Sequence, residues 1–411
     1  MDRAERSGRD VISVEEAFAR IVGRAEPLAE TETVPLRQAF GRVLARDLVA
    51  NRTQPGFPAS AMDGYAVRAA DCAAPFRDLR VIGESAAGRS FDGTIAAGEC
   101  VRIFTGAPVP KGADAILIQE NAERTETGTI RPTSAVDTGR HIRRAGADFA
   151  SGDVLVSGAS RFSAGRIALA ASGGHPSVEV VRRPRVAILA TGDELVLPGE
   201  PIGPSQIVAS NTFGIAAIAE RAGAELFDYG IARDDEGAIG ALVDRAAAED
   251  IDILVTIGGA SVGDHDLVGE VFASRGVALD FWKVAMRPGK PLMAGRLGAM
   301  HVLGLPGNPA SSMVTATLFL KPLVQALGGV PNPIVYREGV LGAEMAANDE
   351  RADYIRATLD EASAVTPIVN PFGRQDSSLL SVFAAADALL LRPPHAPAAQ
   401  RGDLCRYIAL S

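Results

Sequence analysis

The sequence predicts a multidomain protein, α/β at its centre and all-β elsewhere, on three observations. From Arg185 to about residue 330, short apolar runs rich in β-branched residues alternate with helix-compatible segments. That order implies right-handed crossovers and a parallel sheet. Residues 60–145 instead hold short β-like runs at 79–82, 100–104 and 115–119, divided by Gly, Pro and Asp turns, which reads as a small barrel or sandwich. After Pro331-Asn-Pro333 the chain returns to short strands. At 411 residues, 47% of them hydrophobic, the chain can build three or four domains with real cores.

Taken in order, residues 1–10 are polar, and Ser13-Val-Glu-Glu16 is a capping-box pattern ahead of Ala17, Phe18, Ile21 and Val22. A second, shorter helix is expected over residues 36–40, stopped by Gly41. Residues 51–59, rich in Pro and Gly, read as a linker. A turn at Ser151-Gly152-Asp153 precedes a strand at 154–156 and a helix capped by Ser163 and closed by Gly173-Gly174. In the α/β region a strand at 186–190 leads to a helix over Asn211–Ala222, ended by Gly223, and a further helix at 238–248. Strands at 278–282 and 302–305 follow, and after the second Asn308 suits an N-cap and Pro309 the first helical position.

Composition excludes several classes. A net charge of −9 argues against a general nucleic-acid surface. Cys72, Cys100 and Cys405 are odd in number and far apart, with no metal or redox spacing, which fits a reducing cytosol. The charged start has no apolar signal core, and no stretch approaches the roughly 20 apolar residues of a membrane helix. The expectation is a cytoplasmic protein without membrane or nucleic-acid partners.

The chemistry centres on residues 251–266. A continuous apolar run, fit for a strand buried on both faces, ends in Gly258-Gly259-Ala260-Ser261-Val262-Gly263-Asp264-His265-Asp266, and a helix follows from Leu267. In a parallel sheet such a loop lies at the carboxyl edge of the strands, where ligands bind. Gly258, Gly259 and Gly263 permit close backbone approach, and free N–H groups at a helix start favour an anion. The same residues fit G-x-S-x-G, the nucleophile elbow of hydrolases, with Ser261 as nucleophile. Of the later histidines, His265 is too near in sequence, His301 precedes a strand, and only His395 remains as base. Lys283, Arg287 and Lys290 surround a Pro-Gly turn between two apolar strands, a setting for a phosphate or other oxyanion. Loop carboxylates Asp63, Glu194, Asp234, Asp235, Asp264 and Asp266 are commonly just solvated. Converging on one cleft with these cations, they would bind a divalent metal and a polyanion together.

Six motifs carry a resemblance when read in order. They are Ser60-Ala-Met-Asp63-Gly-Tyr-Ala, Thr105-Gly-Ala-Pro-Val-Pro, Thr191-Gly-Asp-Glu194-Leu, the 258–266 loop, Arg287-Pro-Gly-Lys290-Pro291 and Gly304-Leu-Pro-Gly-Asn308-Pro309. Across nearly the whole chain they resemble molybdopterin molybdenumtransferase, the MoeA family, which includes the E domain of gephyrin. The resemblance implies a central parallel-sheet α/β domain resembling the molybdopterin adenylyltransferase fold at 181–330 and a β domain at 51–145. It implies a C-terminal β-barrel-like domain at 331–411 and a segmented elongated dimerisation domain from 1–50 and 146–180. It also implies insertion of molybdenum from molybdate into adenylylated molybdopterin, with release of AMP and help from Mg²⁺. The family works as a homodimer whose cleft is shared between subunits, beside the molybdopterin adenylyltransferase and molybdoenzyme maturation factors.

Carried over by position, Asp63 and Thr105 come from the partner subunit, while Glu194, Asp234 or Asp235, Ser261 and Asp266 line the pterin-nucleotide site. Lys283, Arg287, Lys290 and Ser311 hold phosphate, dithiolene or molybdate, with Gly258, Gly259, Asp264, Pro291 and Asn308 in the surrounding loops. Arg356 and Ser377 resemble the C-terminal oxyanion contacts, and Asp148 an acidic position after Arg143-Arg-Ala-Gly. Glu194 and Asp266 are the expected metal ligands, Asp266 alternatively positioning the attacking oxygen. The chain departs from the family at Pro58, where an acidic residue is frequent, at Arg287, commonly Lys, and at His265, often Tyr. Two other classes stand beside the transferase: the Ser261 hydrolase, and a non-catalytic cofactor carrier or scaffold.

Overall fold

Alternation of β-branched runs with Gly-closed helical segments yields, in the computed structural model, a mixed six-stranded sheet with helices around it. The structure describes residues 11–125, 128–259, 267–330, 335–360 and 366–410. By contacts the chain forms two compact units, one of residues 1–32 and 181–411, the other of residues 33–180.

The first helix, α1 (Val14–Ile21), is capped as its sequence predicts, with Ser13 Oγ accepting the Glu16 amide at 3.1 Å. Glu16 does not close the box; its carboxylate pairs with Arg20 one turn on. Ile12, Val14, Ala17, Ile21 and Val22 bury against Val284, Met286 and Leu320, so this segment joins the α/β core rather than residues 33–50. The reason is its apolar stripe, which a single helix cannot bury alone.

In the unit of residues 33–180, six strands form one sheet: β1 (Gly64–Val67), β2 (Leu79–Ser85), β3 (Glu99–Ile103), β4 (Ala115–Ile118), β5 (Ala122–Arg124) and β6 (Thr129–Pro132). Their order is β4-β1-β3-β2-β6-β5. Gly64 has no substitute there, because a Cβ would meet the Leu117 carbonyl oxygen at 2.0 Å. Residues 36–40 do not make a second α-helix; only a 3-10 turn at Leu36–Gln38 forms. Five residues lie between Pro35 and the left-handed Gly41, and the turn closes through an i→i+3 bond, the Ala39 amide donating to the Leu36 carbonyl at 3.1 Å. Helix α2 (Ala164–Ser172) follows, with Ser163 accepting the Arg166 amide and Gly173 ending it. Its residues Ile167, Leu169 and Ala170 pack with Val34, Leu44, Val156 and Phe162.

The other unit builds its sheet from β7 (Arg185–Thr191), β8 (Glu225–Ala232), β9 (Ile253–Ile257), β10 (Ala278–Lys283), β11 (Pro291–Leu297) and β12 (Met300–Leu305), in the order β8-β7-β9-β12-β11-β10. The pairs β7–β8, β7–β9 and β9–β12 are parallel, whereas β11 runs antiparallel to both neighbours. The sheet is therefore mixed, since the links 284–290 and 298–299 are too short for a crossover. Helices α3 (Asn211–Ala222), α4 (Glu236–Ala248) and α5 (Leu267–Ser274) connect the parallel strands. Gly223 ends α3 at φ 109°, and Asp235 caps α4 through Ala238 N–H at 2.7 Å. His301 lies inside β12 rather than ahead of it, buried opposite Ile253.

After β12 a 19-residue helix, Pro309–Leu327, runs through the core, opening as α6 (Pro309–Thr315) and containing a π turn at Ala316–Leu320. It corrects the expectation that no segment has the length and apolarity of a membrane span, but its residues are buried inside the fold. The chain ends in β13 (Arg337–Leu341), β14 (Ala352–Asp360), β15 (Ile368–Pro371), β16 (Ala388–Arg392) and β17 (Leu404–Ala409). The pairing β14-β15-β13-β17-β16 returns to β14, closing a five-stranded barrel around Ala357, Val369, Leu390 and Tyr407. A further short strand, Met286–Arg287, pairs parallel to the start of β14 at Ala352–Asp353.

Candidate functional site

Strands β7, β8, β9 and β12 all end at one edge of the sheet, and the chain switches sides there between β7 and β9. That is the position at which α/β sheets open a ligand crevice. Gly258 donates to the Leu305 carbonyl at 3.2 Å, tying the end of β9 to the end of β12. Gly258 and Gly259 both adopt positive φ, 92° and 62°. A Cβ on Gly258 would sit 2.6 Å from the Thr191 carbonyl oxygen, and one on Gly259 would sit 2.4 Å from Val268. These glycines are thus required by crowding as well as by conformation. Ala260, Ser261, Val262, Gly263, Asp264, His265 and Asp266 lie outside the described residues.

The loops beside this turn are acidic. Glu194 and Asp193 follow β7, exposed, and the Asp234 amide donates to Asp193 Oδ1 at 3.3 Å. Asp235 is taken up by helix capping, whereas the Asp234 side chain has no partner among the described residues. Thr191 was not singled out in the sequence, yet its Oγ1 is buried beside Gly259 with no partner among the described residues. Asn211, also missed, donates to the Gly307 carbonyl at 2.7 Å and so holds the loop after β12. Among the described residues no three His, Cys, Asp or Glu side chains form a metal cage. Mg²⁺ needs only one or two carboxylates, completing its shell with water and substrate phosphate. The exposed Glu194 and Asp234 fit that role.

The register Lys283↔Pro291 brings the cationic turn to the same edge. Lys290 is exposed, and neither Lys283 nor Lys290 has a side-chain partner among the described residues. Arg287 differs from expectation. Its Nε and Nη2 grip both Asp353 oxygens at 2.9 and 2.6 Å, and Nη1 reaches Asp349 at 3.3 Å. Those carboxylates raise the guanidinium pKa. An arginine offers a planar fork that matches a carboxylate, which suits this grip on the barrel strand β14.

Next to this turn stands α6. A Cβ on Gly289 would meet Thr315 at 2.6 Å, and the Ala310 amide donates to the Ser377 carbonyl at 2.9 Å. Asn308 takes the N-cap position, but its side chain makes no capping bond. Ser311 is buried in the first turn. Arg356, on β14, is fully buried. Its backbone is clasped by Gln375, and Nη2 donates to the Asp376 carbonyl at 3.3 Å. Its Nε and Nη1 have no partner among the described residues, and burial lowers its pKa. A buried guanidinium with idle donors is unfavourable unless an anion comes to it.

In the other unit, Asp63 and Thr105 meet at the start of β1 and the end of β3. Asp63 Oδ1 accepts the Thr105 N–H and Oγ1–H, both at 2.8 Å, and these bonds hold its carboxyl below the usual range. The turn is further fixed by Ser60, whose Oγ donates to the Met62 carbonyl at 2.6 Å. Asp148 lies in the same unit, exposed, with no side-chain partner among the described residues.

A sheet edge with glycine turns, free lysines and carboxylates, in one chain with a barrel that supplies a buried arginine, defines the class: a multidomain α/β protein for a phosphorylated or oxyanionic ligand. Family models agree over three regions. Residues 12–174 match the "MoeA N-terminal region (domain I and II)", 187–326 the "Probable molybdopterin binding domain", and 338–410 the "MoeA C-terminal region (domain IV)". The chain is 36% identical to the molybdopterin molybdenumtransferase of a Nostoc species, over 91% of this chain and 87% of that one. It is 37% identical to molybdopterin molybdenumtransferase 2 of Mycobacterium tuberculosis, over 90% and 93%. The crystal structure of the molybdopterin biosynthesis MoeA protein of Pyrococcus horikoshii superposes with a TM-score of 0.83 at 28% identity, covering 98% of this chain and all of that one. The chain belongs to the MoeA family of molybdopterin molybdenumtransferases. None of these relatives is named as a hydrolase, and the Ser261 elbow gains no support from them.

Proposed function

We propose that this chain inserts molybdenum from molybdate into adenylylated molybdopterin, releasing AMP, with Mg²⁺ assisting. The observation that carries the reading is Arg356: fully buried, with Nε and Nη1 unpartnered among the described residues, next to the Ser377–Ala310 junction. Molybdate is a compact tetrahedral dianion, and a desolvated guanidinium with two idle N–H groups is its natural complement. We assign Lys290 and Pro291, which flank the turn whose Gly289 packs against Thr315, and Ser311 of the same helix to the oxyanion pocket. Gly258 and Gly259 admit the substrate phosphate to the sheet edge, and Lys283 balances its charge.

Insertion couples metal transfer to cleavage of the phosphoanhydride, in which an oxygen of water or molybdate bonds to one phosphorus as the bond to the bridging oxygen breaks, so charge builds on the departing phosphate. Mg²⁺, when bound with the substrate, supplies neutralisation of that charge, and Glu194 with Asp234 would hold it. Lys283 and Lys290 add fixed positive charge on the same side. Asp63 and Thr105 present an ionised carboxylate and a hydroxyl on a preset turn, fit to orient a polar edge of the substrate. We take the working form to be a cytoplasmic homodimer receiving its substrate from an adenylyltransferase; family membership supports that reading.

The test is AMP release from adenylylated molybdopterin with molybdate and Mg²⁺ each present or omitted. Release that requires both, with the product activating an apo-molybdoenzyme, is expected. Release independent of molybdate overturns the transfer reading. Tight pterin binding with no AMP release favours the carrier.

A further inference from the structure

Arg102 lies on β3, shortly before Thr105 and directly opposite Tyr65 of β1. Its Nη1 donates to the Gly64 carbonyl at 3.1 Å and its Nη2 to Gln119 Oε1 at 2.8 Å. Gln119, just after β4, gives its backbone N–H to the Asp63 carbonyl at 3.1 Å. The consecutive carbonyls of Asp63 and Gly64 are thus held by two residues that also hold each other. Gly64 cannot shift to escape this clamp, because it packs tightly on the Leu117 carbonyl.

Two aromatic rings fix the guanidinium as well. Its central carbon lies 5.1 Å from the Tyr65 ring centroid and 4.9 Å from that of Phe104. A planar guanidinium stacks on such faces, whereas an ammonium has no plane to stack. Tyr65 is itself buried, and its hydroxyl accepts from Arg124 Nε at 3.1 Å. Both hydrogen-bond acceptors of Arg102 are neutral oxygens. Glu84, its neighbour on β2 by register, and Glu120, beside the Gln119 amide, make no ion pair with it among the described residues. No adjacent acid neutralises its charge, and Asp63 feels that charge as an attraction added to the bonds from Thr105.

We propose that Arg102 is the positioning residue of Asp63: it pins the Gly64 carbonyl next to the acid and keeps a fixed positive charge beside the carboxylate. It acts on the reaction only through Asp63. The assignment rests on the part given to Asp63 under the proposed function and deepens it.

The experiment uses the full chain, isotope-labelled at the aspartate carboxyl carbons, with the Asp63 signal identified by its absence from Asp63→Asn. Arg102→Met, similar in length and uncharged, should move the Asp63 titration to higher pH than in wild type. It should lower kcat/KM for AMP release about tenfold, the scale of a lost alignment. The ionised acid is the working form, so the acid limb of the pH–rate profile should move to higher pH with it. Arg102→Lys returns the charge without the planar fork, so the titration should come back close to wild type while kcat/KM recovers only in part. Phe104→Leu leaves Arg102 in place, removes one ring, and should shift the titration in the same direction as Arg102→Met, by less. It carries the test if Arg102→Met does not fold. A titration unmoved in the folded variants overturns the assignment, even where thermal melts fall, since a purely structural arginine predicts that result. The titration needs no turnover: a wild type that releases no AMP sinks the transferase reading and leaves Arg102 still decided by the carboxyl signal. Asp63→Asn turning over like wild type removes the part of Asp63, and that of Arg102 with it.

Discussion

Asp63 and Thr105, 42 residues apart in sequence, share a carboxylate oxygen that accepts two bonds of 2.8 Å from one residue. The threonine amide contributes most to the lowered pKa of the acid, its hydroxyl next, with Arg102 adding a smaller pull. Thr105→Val removes the hydroxyl bond and keeps the amide bond. The Asp63 resonance, followed by NMR, should then titrate at higher pH than in wild type, though still below an ordinary aspartate. The sign is fixed by the lowered folded pKa: the stabilisation is present at neutral pH and fades as pH falls through the folded value. Under the proposed function turnover should fall more in Asp63→Asn than in Thr105→Val, because the charge and not only the turn is lost.

Arg356 predicts a trade between stability and binding. Its Nε and Nη1, unpartnered among the described residues, make the free protein less stable than an apolar residue of similar volume would. Arg356→Met should therefore raise unfolding stability by about 1 kcal/mol while molybdate binding, measured by equilibrium dialysis, drops below detection. Trp282 is the sole tryptophan and lies in the same unit, so its fluorescence reports that unit's unfolding. A destabilised Met variant would show instead that the bonds to Asp376 and the stem packing outweigh the idle donors.

Arg287 and Lys290, three residues apart, divide two jobs that look alike in the sequence. Arg287 is tied to the buried Asp353, while Lys290 is exposed and without a side-chain partner among the described residues. Arg287→Ala leaves Asp353 without its counter-ion and should cost about 2 kcal/mol. Molybdate affinity should change less than about twofold. Lys290→Ala should do the reverse, with stability within about 0.5 kcal/mol and affinity down about tenfold. A double-mutant cycle with Asp353→Asn checks the first assignment; no coupling to Arg287 would refute it.

How far the sequence carries depends on whether a feature is local. Helix ends were legible because their causes lie within four residues: Ser13 and Ser163 as caps, Gly223 as a left-handed stop. Strand runs at 186–190 and 278–282 were legible from apolar β-branching, and six ordered motifs pointed to the family. Long-range partners were not. Nothing near Arg287 announces Asp353, 66 residues on. Segment 51–59 read as a linker because its backbone partners are Gly146, Asp148 and Phe149, far along the chain. The parallel sheet became mixed because strand direction depends on link length, which periodicity does not report. Thr191 was passed over since a lone threonine at a strand end carries no signal until Gly259 is found against it.

His301 adds an acid sensitivity to the α/β unit. It lies within β12 opposite Ile253 and Arg296, only 6% exposed. Burial is the main cause of its low pKa, Arg296 pushes the same way, and Asp252 opposes them, leaving a value of about 4. In the unfolded chain a histidine protonates near 6.5. Above that pH both states are neutral and the residue contributes no pH dependence. Between about 6.5 and 4 the unfolded state takes up a proton that the folded state refuses, so stability falls as pH falls. The gap corresponds to about 3 kcal/mol across the window. Urea unfolding followed by Trp282 fluorescence from pH 7 to 4.5 should show that slope in wild type. His301→Gln, neutral throughout, should flatten it whatever its effect at pH 7. An unchanged slope in the variant would move the acid sensitivity to the carboxylates.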